Sequence, residues 1–326
     1  MTQDAGGAQA PAGVIGLDIG GTKVRGLLRD ADGVPVSTAR VLTRQGPQGV
    51  VASALECIDM LLSDAGAARH DVRAIGIGVP GVVDVAAGTV TSAVNLGIGP
   101  EPFALARALT EQVGCLRVRL ENDVNVAALG AARTLGIDDA AYLALGTGVA
   151  AGIVLSGRLL RGHLGVAGEI GHVPLDATGP RCSCGQRGCL EMSASGAALS
   201  AAWAAQRDPG TGEVDVFTAA ARGDQGAGRV CREYAQAVAT CVQLLVLACG
   251  VRTVVIGGGV ADIGRPLQDA VADALAARAT HSPFLAGLHL PDRVVLCGGS
   301  DDVAALGAAL LATEAAADDQ PLELAV

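Results

Sequence analysis

Glu169-Ile170-Gly171-His172, Cys182-Ser183-Cys184-Gly185 and Gly188-Cys189-Leu190-Glu191 place one histidine and three cysteines within eighteen residues. One imidazole and three thiolates make a complete donor set for tetrahedral Zn²⁺, with no open position for chemistry. The other six cysteines, Cys57, Cys115, Cys231, Cys241, Cys249 and Cys297, sit in apolar runs and read as small buried hydrophobes. The three in the cluster stand among Gly, Ser, Gln and Arg, where no core could form. Nine is also an odd number for a disulfide framework. The spacing therefore predicts a structural zinc site of His172, Cys182, Cys184 and Cys189. Glu169 lies three residues before His172 and Glu191 two after Cys189, so a metal on those ligands would also fix both acids in space.

A second set of polar residues stands at strand ends. An apolar strand over 14–18 runs into Asp18-Ile19-Gly20-Gly21-Thr22-Lys23, and a second strand follows over 24–28. Paired glycines between two strands permit positive φ and leave backbone N–H groups unshielded, as a phosphate-cradling turn requires. Asp18 could hold Mg²⁺ there. Of the 23 basic residues only Lys23 is a lysine, and a compact ammonium suits a phosphate at a tight turn. A strand over 116–120 delivers Glu121-Asn122-Asp123 into a helix over 124–135, which is where α/β folds put ligands. Asp123 also fits the plainer role of an N-cap. Tyr142-Leu143-Ala144-Leu145 followed by Gly146-Thr147-Gly148 repeats the opening strand and Gly/Thr turn, with a returning strand over 152–155. This repetition suggests a duplicated domain. A strand over 253–256 leads into Gly257-Gly258-Gly259, bare backbone on which a flat ligand could lie.

The elements between these motifs follow from periodicity. Strands are expected over 34–42, 74–79 and 293–297, and helices over 50–62, 103–113, 197–207, 216–222, 233–250, 266–279 and 303–313. Residues 208–215 read as a surface excursion, and Pro80-Gly81 and the loop 95–100 as turns. The boundaries expected are a flexible tail over 1–12, an α/β domain over 13–123, a larger α/β domain over 124–313 carrying the zinc-stapled loop 169–191, and a loose acidic tail over 314–326. At 326 residues and 50% hydrophobic the chain can build large cores, and with 2% aromatics it must build them from aliphatic side chains. A formal charge of −10 with no basic cluster argues against nucleic acid as a partner. The most apolar stretch, 235–251, is interrupted by Gln236, Thr240 and Gln243 and reads as a buried helix, and no leader is evident, so no membrane and a cytoplasmic location are expected.

Taken together, the motifs resemble the ROK family of sugar kinases and repressors, and among them the bacterial glucokinases. Residues 18–23 look like the family's DxGGTK, 80–84 like PGxVD, 121–125 like ENDxN, 146–152 like GTGxGGG, 169–172 like GExGH, 182–191 like CxCGxxGCxE, and 257–259 like its GGG. The resemblance implies an actin-like ATPase fold of two RNase H-like domains, with sugar and ATP in the cleft between them, often as a dimer or tetramer. It implies Asp123 as catalytic base, and Gly81, Asn122, Asp123, Glu169, His172 and Glu191 as sugar ligands. It further implies Mg²⁺ on Asp18, ATP phosphates at Gly20, Gly21, Thr22, Lys23, Gly146, Thr147 and Gly148, and the nucleoside near Gly257, Gly258 and Gly259. His172 would serve twice, one nitrogen on zinc and the other toward the sugar. Two departures stand out. Where the family has a run of glycines this chain reads Gly148-Val149-Ala150-Ala151-Gly152, whose added Cβ atoms would reshape the turn if either alanine needs φ > 0. The Asn95 loop also lacks an expected tryptophan.

The function implied is an ATP-dependent hexose kinase making glucose 6-phosphate. Phosphorylation of N-acetylmannosamine or another N-acetylhexosamine, or of fructose, is the alternative within the same chemistry, and polyphosphate the alternative donor. A repressor of the same family would need a DNA-binding domain, and thirteen residues before the first strand are too few for a helix-turn-helix. A non-catalytic sugar sensor sits less well with Asp18, Lys23 and Asp123 all present.

Overall fold

The computed structural model describes residues 13–114, 117–206, 215–298 and 302–317; the tail expected over 1–12, most of the excursion at 208–215, and 318–326 lie outside the described residues. The chain divides into two units, one running to Gly130 and resuming at Asp302, the other beginning at Ala131.

In the first unit β1 (Gly13–Ile19), β2 (Lys23–Arg29) and β3 (Pro35–Leu42) form an antiparallel meander followed by α1 (Pro47–Ala65). Then come β4 (Val72–Val79), a small hairpin of β5 (Val82–Asp84) and β6 (Thr89–Thr91), α2 (Leu105–Val113), β7 (Arg117–Asn122) and α3 (Asp123–Leu135). The sheet order is β3-β2-β1-β4-β7, with β4 and β7 parallel to β1. The apolar run of β1 is buried almost throughout because it is central, whereas edge strand β3 is mostly exposed. α1 lays Val50, Val51, Ala54, Cys57, Ile58, Leu61 and Leu62 on the sheet at helical spacing. Pro47 opens it and Gly66, left-handed, closes it.

The second unit repeats that order. β8 (Ala140–Leu145), β9 (Val149–Leu155) and β10 (Arg158–Leu159) are antiparallel, β11 (Thr253–Gly257) runs parallel to β8, and β12 (Val294–Leu296) parallel to β11, giving β10-β9-β8-β11-β12. The duplication inferred from the two Gly/Thr turns is thus present strand for strand. Its helices are α4 (Glu191–Ala194), α5 (Gly196–Gln206), α6 (Val216–Ala221), α7 (Gln225–Cys249), α8 (Arg265–Ala279) and α9 (Pro283–Ala286). α7 is long and apolar enough to cross a membrane, but it packs against α5, α6 and α8 and buries Val230, Tyr234, Val238, Cys241, Val242 and Leu245 in the core. It starts eight residues earlier than expected because Asp224 caps it, accepting the Ala227 amide at 2.8 Å, a signal that Gly226 and Gly228 obscure.

The closing helix α10 (Val303–Ala317) corrects two expectations. It runs past 313, and it belongs with the first unit, packing on β1, β4 and β7. Its Ala305, Ala308 and Ala309 press backbone to backbone on Gly16 and Gly76, where any Cβ would overlap the helix. The division between units correspondingly falls inside α3, at Gly130, and not at 123. A further difference concerns β9, which begins at Val149 instead of 152. Ala150 and Ala151 are therefore strand residues paired with Ala144 and Leu143, neither has positive φ, and their Cβ atoms do not reshape the turn.

Candidate active site

In the first unit the polar residues lie at the carboxyl ends of neighbouring strands. β4 pairs with β7 in the register Val79↔Asn122, which brings the Pro80-Gly81 turn beside Asn122. Asn122 Nδ2 donates to the Gly81 carbonyl at 3.4 Å, and its Oδ1 accepts the amides of Val124 at 2.9 Å and Asn125 at 3.4 Å. Asp123 is the first residue of α3 and its Oδ1 shares the Val124 amide at 2.9 Å. Capping thus falls chiefly to Asn122, while the helix dipole favours the charge of Asp123. Beneath them Glu121, 2% exposed, accepts the Asn122 amide at 2.9 Å and the Asn125 side-chain amide at 2.9 Å. Both residues stand in the ENDxN motif read from the sequence, but the motif alone gave this buried pair no role.

The β1–β2 turn is held from outside. Thr43 donates its hydroxyl to the Gly20 carbonyl at 2.7 Å, and Gln45 its side-chain amide to the Gly21 carbonyl at 3.0 Å. Neither Gly20 nor Gly21 takes positive φ. At Gly21 the reason for glycine is instead close approach, since a Cβ would lie 2.9 Å from the Asn95 carbonyl oxygen. Lys23 opens β2 half-buried, and Thr22 is exposed. Asp18 keeps a small window to solvent, but burial pushes its carboxyl up to about 6, Asp123 and Asp302 adding to the rise while Arg25 and Lys23 oppose it. A buried carboxyl raised by a neighbouring carboxylate is a donor that a divalent cation such as Mg²⁺ would relieve.

In the second unit the zinc expectation can be tested by geometry. A tetrahedron with Zn–S near 2.3 Å has sulfur–sulfur edges of about 3.8 Å. Cys184 Sγ and Cys189 Sγ are 3.7 Å apart, Cys182 Sγ and His172 Nδ1 are 3.7 Å apart, and all four donors lie within 4.8 Å of one another. The four residues fit Zn²⁺, and the sulfur separation is far from a disulfide bond. Between 173 and 187 only Cys182 is buried, so the loop has no core of its own and a metal would have to organise it. Gln186, unremarked in the sequence, ties the cluster by donating to the His172 carbonyl at 3.0 Å and Cys184 Sγ at 3.5 Å. Its backbone and then its side chain draw the Cys184 thiol down to about 6.

His172 ends a single 3₁₀ turn (Ile170–His172), with Nδ1 toward the sulfurs and Nε2 3.9 Å from Glu169 Oε2. The imidazole therefore presents Nδ1 to a thiol and Nε2 toward a carboxylate. Glu191 is the first residue of α4; its Oε1 is 3.8 Å from Cys182 Sγ and its Oε2 accepts the Val149 amide at 3.1 Å. Gly146, Thr147 and Gly148 form the β8–β9 turn without positive φ, and Gly258, at φ 80, alone of Gly257–Gly259 requires a left-handed backbone.

A cavity of about 710 Å³ opens beside that turn. Gly146, Thr147 and Gly259 line it, and most of its wall comes from residues not picked out in the sequence: Gly196, Ser200, Trp203, Asp215, Val216 and Val260 among them. The only tryptophan in a chain with 2% aromatics was a usable signal.

The sequence model of the ROK family matches residues 14–315. The chain is 33% identical over 248 residues to an N-acetylmannosamine kinase of Yersinia pseudotuberculosis, covering 76% of this chain and 82% of that protein. A ROK hexokinase from Thermus thermophilus superposes with TM-score 0.77 at 33% identity, over 94% of this chain and 99% of the other. A ROK glucokinase from Streptomyces griseus, in complex with glucose and AMPPNP, superposes with TM-score 0.72 at 31% identity, over 93% and 99%. With the two sheets of identical order, these matches identify the fold as the α/β actin-like ATPase fold.

Proposed function

The chain belongs to the ROK family, and we propose that it is an ATP-dependent hexose kinase converting glucose to glucose 6-phosphate. The observation that carries this reading is the two-sided His172, whose Nδ1 lies 3.7 Å from Cys182 Sγ in the Cys/His cluster while its Nε2 lies 3.9 Å from Glu169. Zinc held by His172, Cys182, Cys184 and Cys189 supplies no chemistry; it fixes the imidazole, Glu169 and Glu191 as partners for neighbouring sugar hydroxyls. Asn122 and Gly81 add further sugar contacts. Asp123 accepts the proton of the 6-hydroxyl as that oxygen bonds to the γ-phosphorus and ADP departs with the electrons of the broken bond. Asp18 holds Mg²⁺, Lys23 and the turns Gly20–Thr22 and Gly146–Gly148 hold phosphates, and the cavity lined by Trp203 and Gly259 takes the nucleoside. An indole in the cavity wall suits a base, and the Asp215 carboxylate in the same wall suits ribose hydroxyls, which favours a nucleotide over polyphosphate as donor. The reading includes a homo-oligomer of two or four chains.

The similarity to N-acetylmannosamine kinase supports a second reading in which the same residues act on an N-acetylated hexose. Incubation with ATP, Mg²⁺ and glucose, with glucose 6-phosphate identified by its dehydrogenase, tests the first reading. Product from N-acetylmannosamine in its place supports the second.

A further inference from the structure

The acid assigned to the sugar also grips the donor turn. Glu191 Oε2 accepts the amide of Val149, the residue immediately after Gly146-Thr147-Gly148, at 3.1 Å. The carboxylate lies so close to Gly148 that a Cβ there would come within 2.5 Å of Oε2. The chain on both sides of Glu191 reinforces this hold. Gly196, just beyond α4, donates its amide to the Gly146 carbonyl at 2.8 Å, and Gly171, beside His172, lies where any Cβ would strike the Val149 carbonyl. Gly146 and Gly196 also line the cavity that holds Trp203. The metal-ligating loop and the phosphate turn are therefore one packed assembly within the second unit, joined through a charge-assisted hydrogen bond.

We infer that Glu191 is a positioning residue for the donor: independently of any contact with sugar, its carboxylate holds the Val149 amide and thereby sets the Gly146–Gly148 turn for nucleotide phosphates. The inference rests on the proposed nucleotide site and goes beyond it, because a pure sugar ligand would leave nucleotide affinity in sugar-free protein untouched.

Trp203, the sole tryptophan, supplies the readout. Its fluorescence is titrated with ADP and Mg²⁺ in the zinc-loaded, sugar-free protein for wild type, Glu191→Ala and Glu191→Gln, with zinc content and far-UV circular dichroism as controls. A hydrogen bond to a charged group is worth about 10- to 100-fold in an equilibrium constant. Glu191→Ala should weaken ADP binding by roughly tenfold or more, and Glu191→Gln, whose amide oxygen can still accept from Val149, by much less. Should the alanine variant lose zinc or fail to fold, Glu191→Asp carries the test, since a carboxylate one methylene shorter leaves Val149; the same loss is expected with zinc retained. Folded, zinc-bound Glu191→Ala or Glu191→Asp protein that binds ADP like wild type overturns the inference. A wild type that binds no ADP overturns the functional reading itself.

Discussion

Asn122 and Gly81 meet through a hydrogen bond of 3.4 Å from the Asn122 side-chain amide to the Gly81 carbonyl, while the other end of the same side chain caps α3. One residue thus ties the β4–β5 turn to the helix N-terminus that carries Asp123. The capping work that Asp123 was a candidate to perform is shared, and its charge sits where the helix dipole favours it.

Removing that carboxylate should therefore cost chemistry more than structure. Asp123→Ala is expected to lower kcat about 10²- to 10⁴-fold, the usual worth of a general base, with little change in melting temperature or sugar affinity. Steady-state kinetics beside a thermal melt checks this. Activity within tenfold of wild type would remove Asp123 as the base.

The zinc loop should depend on its metal. Cys184→Ser is expected to lose bound zinc and to raise the KM for sugar, because the exposed segment 173–187 has only Cys182 buried within it. Metal analysis of the purified wild type should find one zinc per chain. A zinc-free wild type with full activity would contradict the role given to the metal.

Asp18 gives a pH-dependent expectation. Its carboxyl is raised from its ordinary value of 3.8 to about 6, first by burial and then by Asp123. Between those values the unfolded chain releases a proton that the folded chain retains, so ionisation costs stability, fully above pH 6 and progressively less toward pH 4. The cost is on the order of 2–3 kcal/mol. In metal-free protein, Asp18→Asn should raise the melting temperature at pH 8, and the gain should shrink as pH falls to 4. A gain independent of pH would contradict the assignment.

The contact between α10 and the first sheet admits no side chain at Gly76, where a Cβ would overlap the Ala308 carbonyl. Gly76→Ala should destabilise the protein by about 1–3 kcal/mol, seen as a lower urea midpoint. An unchanged midpoint would mean that the helix yields without cost.

The Cys/His cluster, the strand-end acids and the duplicated strand–turn–strand units were legible because each depends on residues close in sequence with unusual chemistry. Other features depend on what meets in space. Nothing in the alanine-rich stretch of α10 names the glycines of β1 and β4 that it packs on. The paired glycines of the β1–β2 turn were picked out for positive φ, which neither takes; Gly21 is instead crowded by Asn95, and in the β8–β9 turn Gly148 is crowded by Glu191. The cavity wall was missed for the same reason. Apart from Trp203 and Asp215, its residues are small or aliphatic and come from elements far apart in the chain.

The central claim is tested most directly by sugar-dependent ADP release with ATP and Mg²⁺ across glucose, mannose, fructose, N-acetylglucosamine and N-acetylmannosamine. Selective turnover of glucose is the predicted result, and turnover confined to an N-acetylated sugar would keep the mechanism and transfer it to the second reading. No sugar-dependent ADP release with any of the five would contradict the assignment of this chain as a hexose kinase.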